Sequence, residues 1–220
     1  MDKEFLYDML RTPSVSGHEI ALQKKVIQHM EPVADEILTD ATGDVISVLN
    51  PHAEAKVLLC GHIDEIGFLV TRICEDGMLK VTKAGGIHPV LYLGTHVQVV
   101  CASQVLPGVV VTNRTLESKE QVQVEDLFID LGFDSKAECE RYVSIGDPVC
   151  AASEFTELAH GKLAGRALDD RIGAFIILEA LKKAKQKQAA CGIYAATTCG
   201  EETTMRGAIM SQPVCSQAVH

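Results

Sequence analysis

Basic residues are in deficit: 20 lysines and arginines face 30 aspartates and glutamates in 220 residues, a formal net charge of −10. A field that gathers phosphates is therefore missing, and nucleic acid is not an expected partner. The opening stretch Met1-Asp-Lys-Glu-Phe-Leu6 has no positive segment followed by a long apolar one, so no secretory leader is expected. No apolar run reaches the roughly 18 residues that suggest a membrane span, which leaves a cytoplasmic chain without a membrane partner as the expectation. Internal repeats, low-complexity tracts and CxxC pairs are also missing. The eight cysteines are scattered, many in apolar strand-like surroundings such as Leu58-Leu-Cys60 and Val99-Val-Cys101. Buried thiols of a reducing compartment are expected, in preference to a disulfide framework or a cysteine-based zinc site.

What is present is an ordinary globular composition, 47% hydrophobic and 23% charged, enough to bury a core. Asp2 can cap a short helix with Leu6, Met9 and Leu10 on one side, and Thr12-Pro-Ser-Val-Ser-Gly17 breaks it. Ser16 and Glu19 form the S-x-x-E capping signature for a second helix with Leu22, Val26 and Met30 at helical spacing. Residues 36 to 49 read as strand, turn at Thr42-Gly43-Asp44, and strand, and Lys56-Val-Leu-Leu-Cys60 as a strand buried on both faces.

Residues 66 to 113 change character. They read as short strands around turns at Glu75-Asp-Gly77, Gly85-Gly86 and Pro107-Gly108, with no long helical period. Ser135 and Glu138 announce a short helix, and Gly146-Asp-Pro148 turns the chain back. The α/β pattern returns at Lys162, with a helical stripe at Ile172, Phe175, Ile176, Ala180, Leu181 and Ala184, then a buried strand at Gly192-Ile-Tyr-Ala-Ala-Thr197. A helix containing Met205 to Met210 and a strand beginning at Gln217-Ala-Val219 are expected last. The fold class is thus α/β: an open mixed sheet with flanking helices, formed by residues 1–68 and 161–220, and a small β-barrel-like domain inserted at residues 69–160.

Three groups lie far apart in sequence and at equivalent places in this pattern. His62 follows one apolar strand, Glu201-Glu202 follow another, and Asp169-Asp170 open a helix. The helix dipole alone favours an acidic pair at a helix start. Together, however, imidazole and carboxylates at strand ends suit a pair of divalent metal ions. His18, His88, His96 and His160 have no such company and read as structural or surface residues.

Gly61-His-Ile-Asp-Glu-Ile-Gly-Phe68, Ala167-Leu-Asp-Asp-Arg-Ile-Gly173 and Glu201-Glu202 with Arg206-Gly-Ala208 resemble the dinuclear aminopeptidases of the glutamyl aminopeptidase, tetrahedral aminopeptidase and "endoglucanase M" group. Gly85-Gly-Ile-His-Pro89, Val124 to Gly132, Gly146-Asp-Pro148 and Ser153-Glu-Phe155 resemble its intervening stretches. The resemblance implies two divalent ions, zinc or cobalt, held by His62, Asp169 and Glu202, with Asp169 bridging them. It implies that Asp64 orients the imidazole, that Glu201 is the general base, and that the Asp169-Asp170 peptide is cis. Peptides are the implied substrates, and the β insert is implied to build a homo-oligomer, a dimer or a tetrahedral dodecamer.

Two departures accompany the resemblance. The family's further aspartate and histidine ligands would fall beyond His220, so a truncated chain with weak metal occupancy and impaired hydrolysis is expected. Thr203-Thr204 stand where relatives usually carry Val-Gly, and the lost glycine could alter the turn that aims Glu201. A non-catalytic assembly module is the alternative from another class. A glycoside hydrolase is a weaker one, because two carboxylates across a sugar leave His62 and Asp64 without a role.

Overall fold

The computed structural model describes residues 2–112, 122–152 and 155–217, with side chains given as far as Ser211 in the last stretch. It divides into two compact units, one of residues 1–65 and 154–220, the other of residues 66–153. The first begins with helices α1 (Lys3–Arg11) and α2 (Ile20–Met30) and strands β1 (Glu36–Thr39), β2 (Val45–Leu49) and β3 (Lys56–His62). The second holds β4 (Gly67–Ile73), β5 (Leu79–Ala84), β6 (His96–Val100), β7 (Val105–Thr112), β8 (Leu127–Asp130), the short helix α3 (Lys136–Cys139) and β9 (Pro148–Ala151). The first unit resumes with β10 (Thr156–Leu158), β11 (Lys162–Ala164), α4 (Leu168–Gln186), β12 (Gly192–Thr198), α5 (Glu201–Thr204) and α6 (Arg206–Gln217).

The main sheet of the first unit runs β1-β2-β12-β3. The β1/β2 and β2/β12 pairs are antiparallel and β12/β3 is parallel, so the sheet is mixed. β12 is central and buried along its whole length, as its uninterrupted Gly192-Ile-Tyr-Ala-Ala-Thr-Thr198 run requires. The expectation that β3 is buried on both faces is corrected. β3 is an edge strand among the described residues, and its Val57 and Cys60 are exposed. Cys60 is therefore not the buried thiol expected, whereas Cys101, Cys139, Cys150 and Cys199 are buried, and no disulfide joins the described cysteines.

Helix α1 starts as read: the Asp2 carboxylate accepts the Phe5 N–H at 3.2 Å, and Phe5, Leu6, Met9 and Leu10 turn inward. They pack with Leu22, Val26 and Met30 of α2 and with Phe175, Leu178 and Leu181 of α4. The capping box at Ser16 and Glu19 does not form. Glu19 occupies the N-cap position of α2 without a side-chain cap, because both side chains are engaged elsewhere in the unit. In α4 the buried stripe is Arg171, Ala174, Phe175, Ile177, Leu178 and Leu181, and Ile176 is exposed, contrary to the sequence reading. Apolar residues occupy both Ile176 and Ile177, so periodicity did not fix the phase of the helix.

The second unit is a closed barrel in the order β4-β5-β8-β7-β6-β9, around Phe68, Val70, Leu79, Val97, Val99, Val110, Leu127, Ile129 and Val149. Closure leaves no open sheet edge, which accounts for so many short strands in so short a stretch. Pro107-Gly108 is not a turn: both residues lie within β7, opposite Gln98 and Val97. The glycine answers to crowding, since a Cβ built on it would stand 2.6 Å from Leu131 Cδ2. At the far end of the chain, α6 continues through Gln217, where a strand was expected. Ala218 to His220 and Ser153-Glu154 lie outside the described residues.

One titratable group is built into the first core. His29 stacks on Phe5 with ring centroids 3.6 Å apart, and its Nε2 accepts from the Lys182 ammonium at 3.2 Å. Burial, then the Lys182 charge, hold its pKa below the usual 6.5. A base whose folded pKa is depressed contributes stability above its unfolded pKa and loses it as pH falls toward the folded value. Melting temperature is therefore expected to fall as pH drops from about 7 toward 5, and His29→Phe, which keeps the stack and cannot titrate, should flatten that fall. An equally steep fall in the variant would remove His29 from the cause.

Candidate metal centre

β3 and β12 are parallel neighbours with Gly61 opposite Thr197 and His62 opposite Thr198, so both strands release the chain at one edge of the sheet. The pairing extends one step further, the Ile63 N–H donating to the Thr198 carbonyl at 2.9 Å. His62-Ile-Asp-Glu65 thus leaves beside Cys199-Gly-Glu-Glu202, at the carboxyl ends where open α/β sheets collect ligands. Gly61 brings the start of α4 to the same edge. A Cβ there would stand 2.6 Å from the Ala174 amide nitrogen, so glycine is needed for the approach.

The peptide between Asp169 and Asp170 is cis. The two carboxylates then part company. Asp170 Oδ1 accepts the Gly173 N–H at 3.0 Å, the cap that a helix start calls for. Asp169 keeps a side chain 90% exposed, with Oδ1 3.1 Å from His62 Nε2. The bland explanation of an acidic pair therefore covers Asp170 and leaves Asp169 available.

His62 is buried, with Nδ1 3.2 Å from the Asp64 carbonyl oxygen and 3.5 Å from Asp64 Oδ1. The nearer acceptor is thus the main-chain carbonyl. The Asp64 carboxylate, fully buried, accepts the N–H of Glu201 on Oδ1 at 3.1 Å and that of Glu202 on Oδ2 at 3.2 Å. Glu201 Oε2 stands 3.7 Å from His62 Nε2. His62, Glu201 and Glu202 each offer a ligand atom within 4.8 Å of one another.

Burial by itself depresses the His62 pKa, but Asp64, Asp169 and Glu201 outweigh it and lift it to about 9. Glu202 is also raised, first by burial and then, against the pull of His62, by Asp64, Glu201 and Asp169. Both shifts mark surplus negative charge at one point, which a cation relieves. One imidazole nitrogen with several carboxylate oxygens is a donor set that zinc, cobalt and manganese accept, so the residues fit a divalent metal.

The sequence pattern described as M42 glutamyl aminopeptidase matches residues 43–219. The chain belongs to the M42 glutamyl aminopeptidase family. Among M42-like relatives, the lysyl aminopeptidase of Pyrococcus furiosus is 30% identical over 219 residues, an alignment covering 94% of this chain and 62% of that protein. A TET aminopeptidase from a marine-sediment Thaumarchaeota archaeon superimposes with a TM-score of 0.91 at 30% identity, over 97% of this chain and 63% of that one. A Pyrococcus horikoshii peptidase, described as assembling into a tetrahedron or a large octahedral shell, gives 0.85 at 31% identity over 95% and 64%. The chain spans about three-fifths of the length of the curated relatives it matches.

Thr203 and Thr204 sit within α5, the one-turn helix that follows β12. The left-handed residues flanking it are Gly200 (φ 69°) and Met205 (φ 56°). Thr203 Oγ1 meets Ser16 Oγ at 3.0 Å.

Sequence reasoning missed the group beneath the site. Glu65 is buried between two guanidiniums: Arg166 Nη1 donates to its Oε2 at 2.6 Å and Arg171 Nη2 to its Oε1 at 2.7 Å. Arg171, fully buried, also donates to the Met9 carbonyl at 2.6 Å and to Ser14 Oγ at 2.7 Å. The signal was present: an arginine on the inward stripe of an apolar helix demands a buried partner, and Glu65 stands beside Asp64. Removing one partner of such a pair strands the other charges, so Glu65→Ala is expected to lower stability by about 3–5 kcal/mol, read as a shift in the urea midpoint at unchanged slope. A loss within experimental error of zero would show the guanidiniums to be satisfied without it.

Proposed function

We propose that the chain carries the hydrolytic site of a metal-dependent aminopeptidase, in which His62, Asp169 and Glu202 would hold two divalent ions, zinc or cobalt. The observation that carries this reading is the convergence, at the ends of two adjacent parallel strands, of His62 with Glu201 and Glu202, and of Asp169 within 3.1 Å of the same imidazole. When bound, such ions supply a Lewis acid for a peptide carbonyl and acidify a water molecule. Glu201, whose side chain is one-third exposed, takes the part of proton carrier: Oε2 accepts a proton from water and returns it to the leaving amine. Glu202, half-buried and raised by burial and its carboxylate neighbours, takes the part of ligand. Asp64 holds the main chain of both glutamates and the imidazole in one frame. The surplus of negative charge also suits the cationic amino end of a peptide.

Glu201→Gln is expected to leave zinc or cobalt uptake close to that of the parent while lowering kcat on aminoacyl p-nitroanilides by about 10²–10⁴. Hydrolysis that survives both this substitution and exhaustive chelation would end the assignment.

The barrel unit supports an accompanying role in assembly. It exposes Leu91 (73%), Ile145 (62%) and Val105 (50%), apolar side chains that a second copy could cover. Light scattering after gel filtration is expected to show a dimer or larger homo-oligomer that persists in chelator. A monomer at all concentrations would remove this role and leave the hydrolytic one standing.

A further inference from the structure

Four consecutive main-chain N–H groups lead into the Glu201-Glu202 pair, and each is received by a buried carboxylate. Cys199 N–H donates to Asp44 Oδ1 at 2.8 Å, Gly200 N–H to Glu19 Oε1 at 3.1 Å, and Glu201 and Glu202 N–H to the two oxygens of Asp64. The carboxylates come from three distant parts of the chain and are 0%, 4% and 0% exposed, in the order Asp44, Glu19, Asp64. α5 is one turn long and Gly200, its N-cap, has no side chain, so the first amides of this helix find no acceptor within it. Orphan amides in the interior are costly, and here three distant acids satisfy them.

Each acid has a second hold. Glu19 Oε1 also accepts from the Gly17 N–H at 2.8 Å and from Arg206 Nη2 at 3.2 Å, so it binds the turn on both sides of α5. Asp44 Oδ2 accepts from Ser211 Oγ at 2.8 Å, in α6. Gly200 has φ 69°, which side chains rarely adopt, and a Cβ on Gly207 would stand 2.7 Å from the Cys199 amide nitrogen, so both positions favour glycine. Asp64 touches the imidazole as well, but Glu19 and Asp44 reach the site only through the backbone of residues 199 and 200.

We propose that Glu19 and Asp44 are positioning residues for Glu201 and Glu202, holding the backbone of Cys199 and Gly200 so that both glutamate side chains face His62. The proposal rests on the hydrolytic reading for its purpose, and on the hydrogen bonds alone for its mechanics. It assigns a function to the Ser14–Glu19 connection between α1 and α2, which hydrogen-bonds to the exits of both site-bearing strands and, through Ser14, to Arg171 of α4.

The test uses Glu19→Ala, Glu19→Gln and Asp44→Asn in the full chain, read by amide hydrogen exchange and by the visible spectrum of added cobalt(II). Exchange in the segment 197–207 is expected to quicken by about tenfold or more in Glu19→Ala, less in Glu19→Gln, which keeps one acceptor oxygen, and mainly at residue 199 in Asp44→Asn. Segments 67–84 and 96–112 should stay at the parent rate. The cobalt bands should change in intensity or position in the same order of variants. Unchanged exchange at residues 199–202, or an equal rise throughout residues 2–65 and 155–211, would overturn the proposal, the latter by making the role one of general stability. A parent that gives no cobalt spectrum even with cobalt in large excess defeats the metallopeptidase reading instead, and the exchange arm still decides the clamp.

Discussion

The exit of β3 is the constraint on which the site depends. Over four residues the chain delivers His62 to the site, Ile63 to the apolar core, Asp64 to the amides of α5 and Glu65 to the guanidiniums of Arg166 and Arg171. One short segment thereby fixes the other two that carry carboxylates. Arg171 stands two residues after Asp169, so its pairing with Glu65 sets where α4 begins relative to the imidazole. Asp64 does the same for the start of α5. Two buried acids that are adjacent in sequence and pull on different elements thus act on the placement of Asp169, Glu201 and Glu202, together with the hold of Glu19 and Asp44 on residues 199 and 200.

The electrostatics follow from that arrangement. Burying ions is unfavourable unless they are paired or well hydrogen-bonded, and the structure handles its buried acids in two ways. Glu65 is matched by guanidiniums, whereas Asp44, Glu19 and Asp64 are matched largely by backbone N–H groups. The second device leaves the local charge negative. Through Asp64 it is felt at the site, where burial and then the neighbouring carboxylates raise the Glu202 pKa, and where Asp64, Asp169 and Glu201 lift His62 to about 9 against burial. Negative charge held in this way favours a cation near it.

How much of this was legible in the sequence depended on what each signal reports. Strand ends were legible: the apolar runs before Gly61 and Cys199 were uninterrupted, and residues just beyond such runs sit at one edge of the sheet. The Asp2 cap and the barrel's alternating strands were legible for the same reason, each being a local pattern with a local cause. Pro107-Gly108 misled because the turn signal is statistical, and here the glycine answers to the nearby Leu131 side chain. The capping box at Ser16 and Glu19 misled because a local hydrogen bond competes with distant ones, and at Glu19 the distant partners Gly200 and Arg206 won. Exposure of Val57 and Cys60 reflects the position of β3 at the edge of the described sheet, which no residue within the strand records. The roles of Asp44 and Glu19 were illegible because the amides they receive lie many residues away, and spacing carries no trace of them.

Three acidic doublets show how function separates from architecture within adjacent residues. In Asp64-Glu65 both side chains are buried and both fasten other elements. In Asp169-Asp170 the second caps its own helix and the first stays exposed beside the imidazole. In Glu201-Glu202 the amides are held, which frees both carboxylates to turn toward His62. A carboxylate that already accepts hydrogen bonds from the protein has fewer lone-pair sites left for a metal or a proton. Of the six acids in these doublets, Asp169 and Glu201 bring a carboxylate oxygen near His62 Nε2, and Glu202 offers a ligand atom in the same group. Hydrogen-bond partners thus separate Asp64 and Asp170, which hold main-chain amides, from Asp169 and Glu201, whose carboxylates stand by the imidazole.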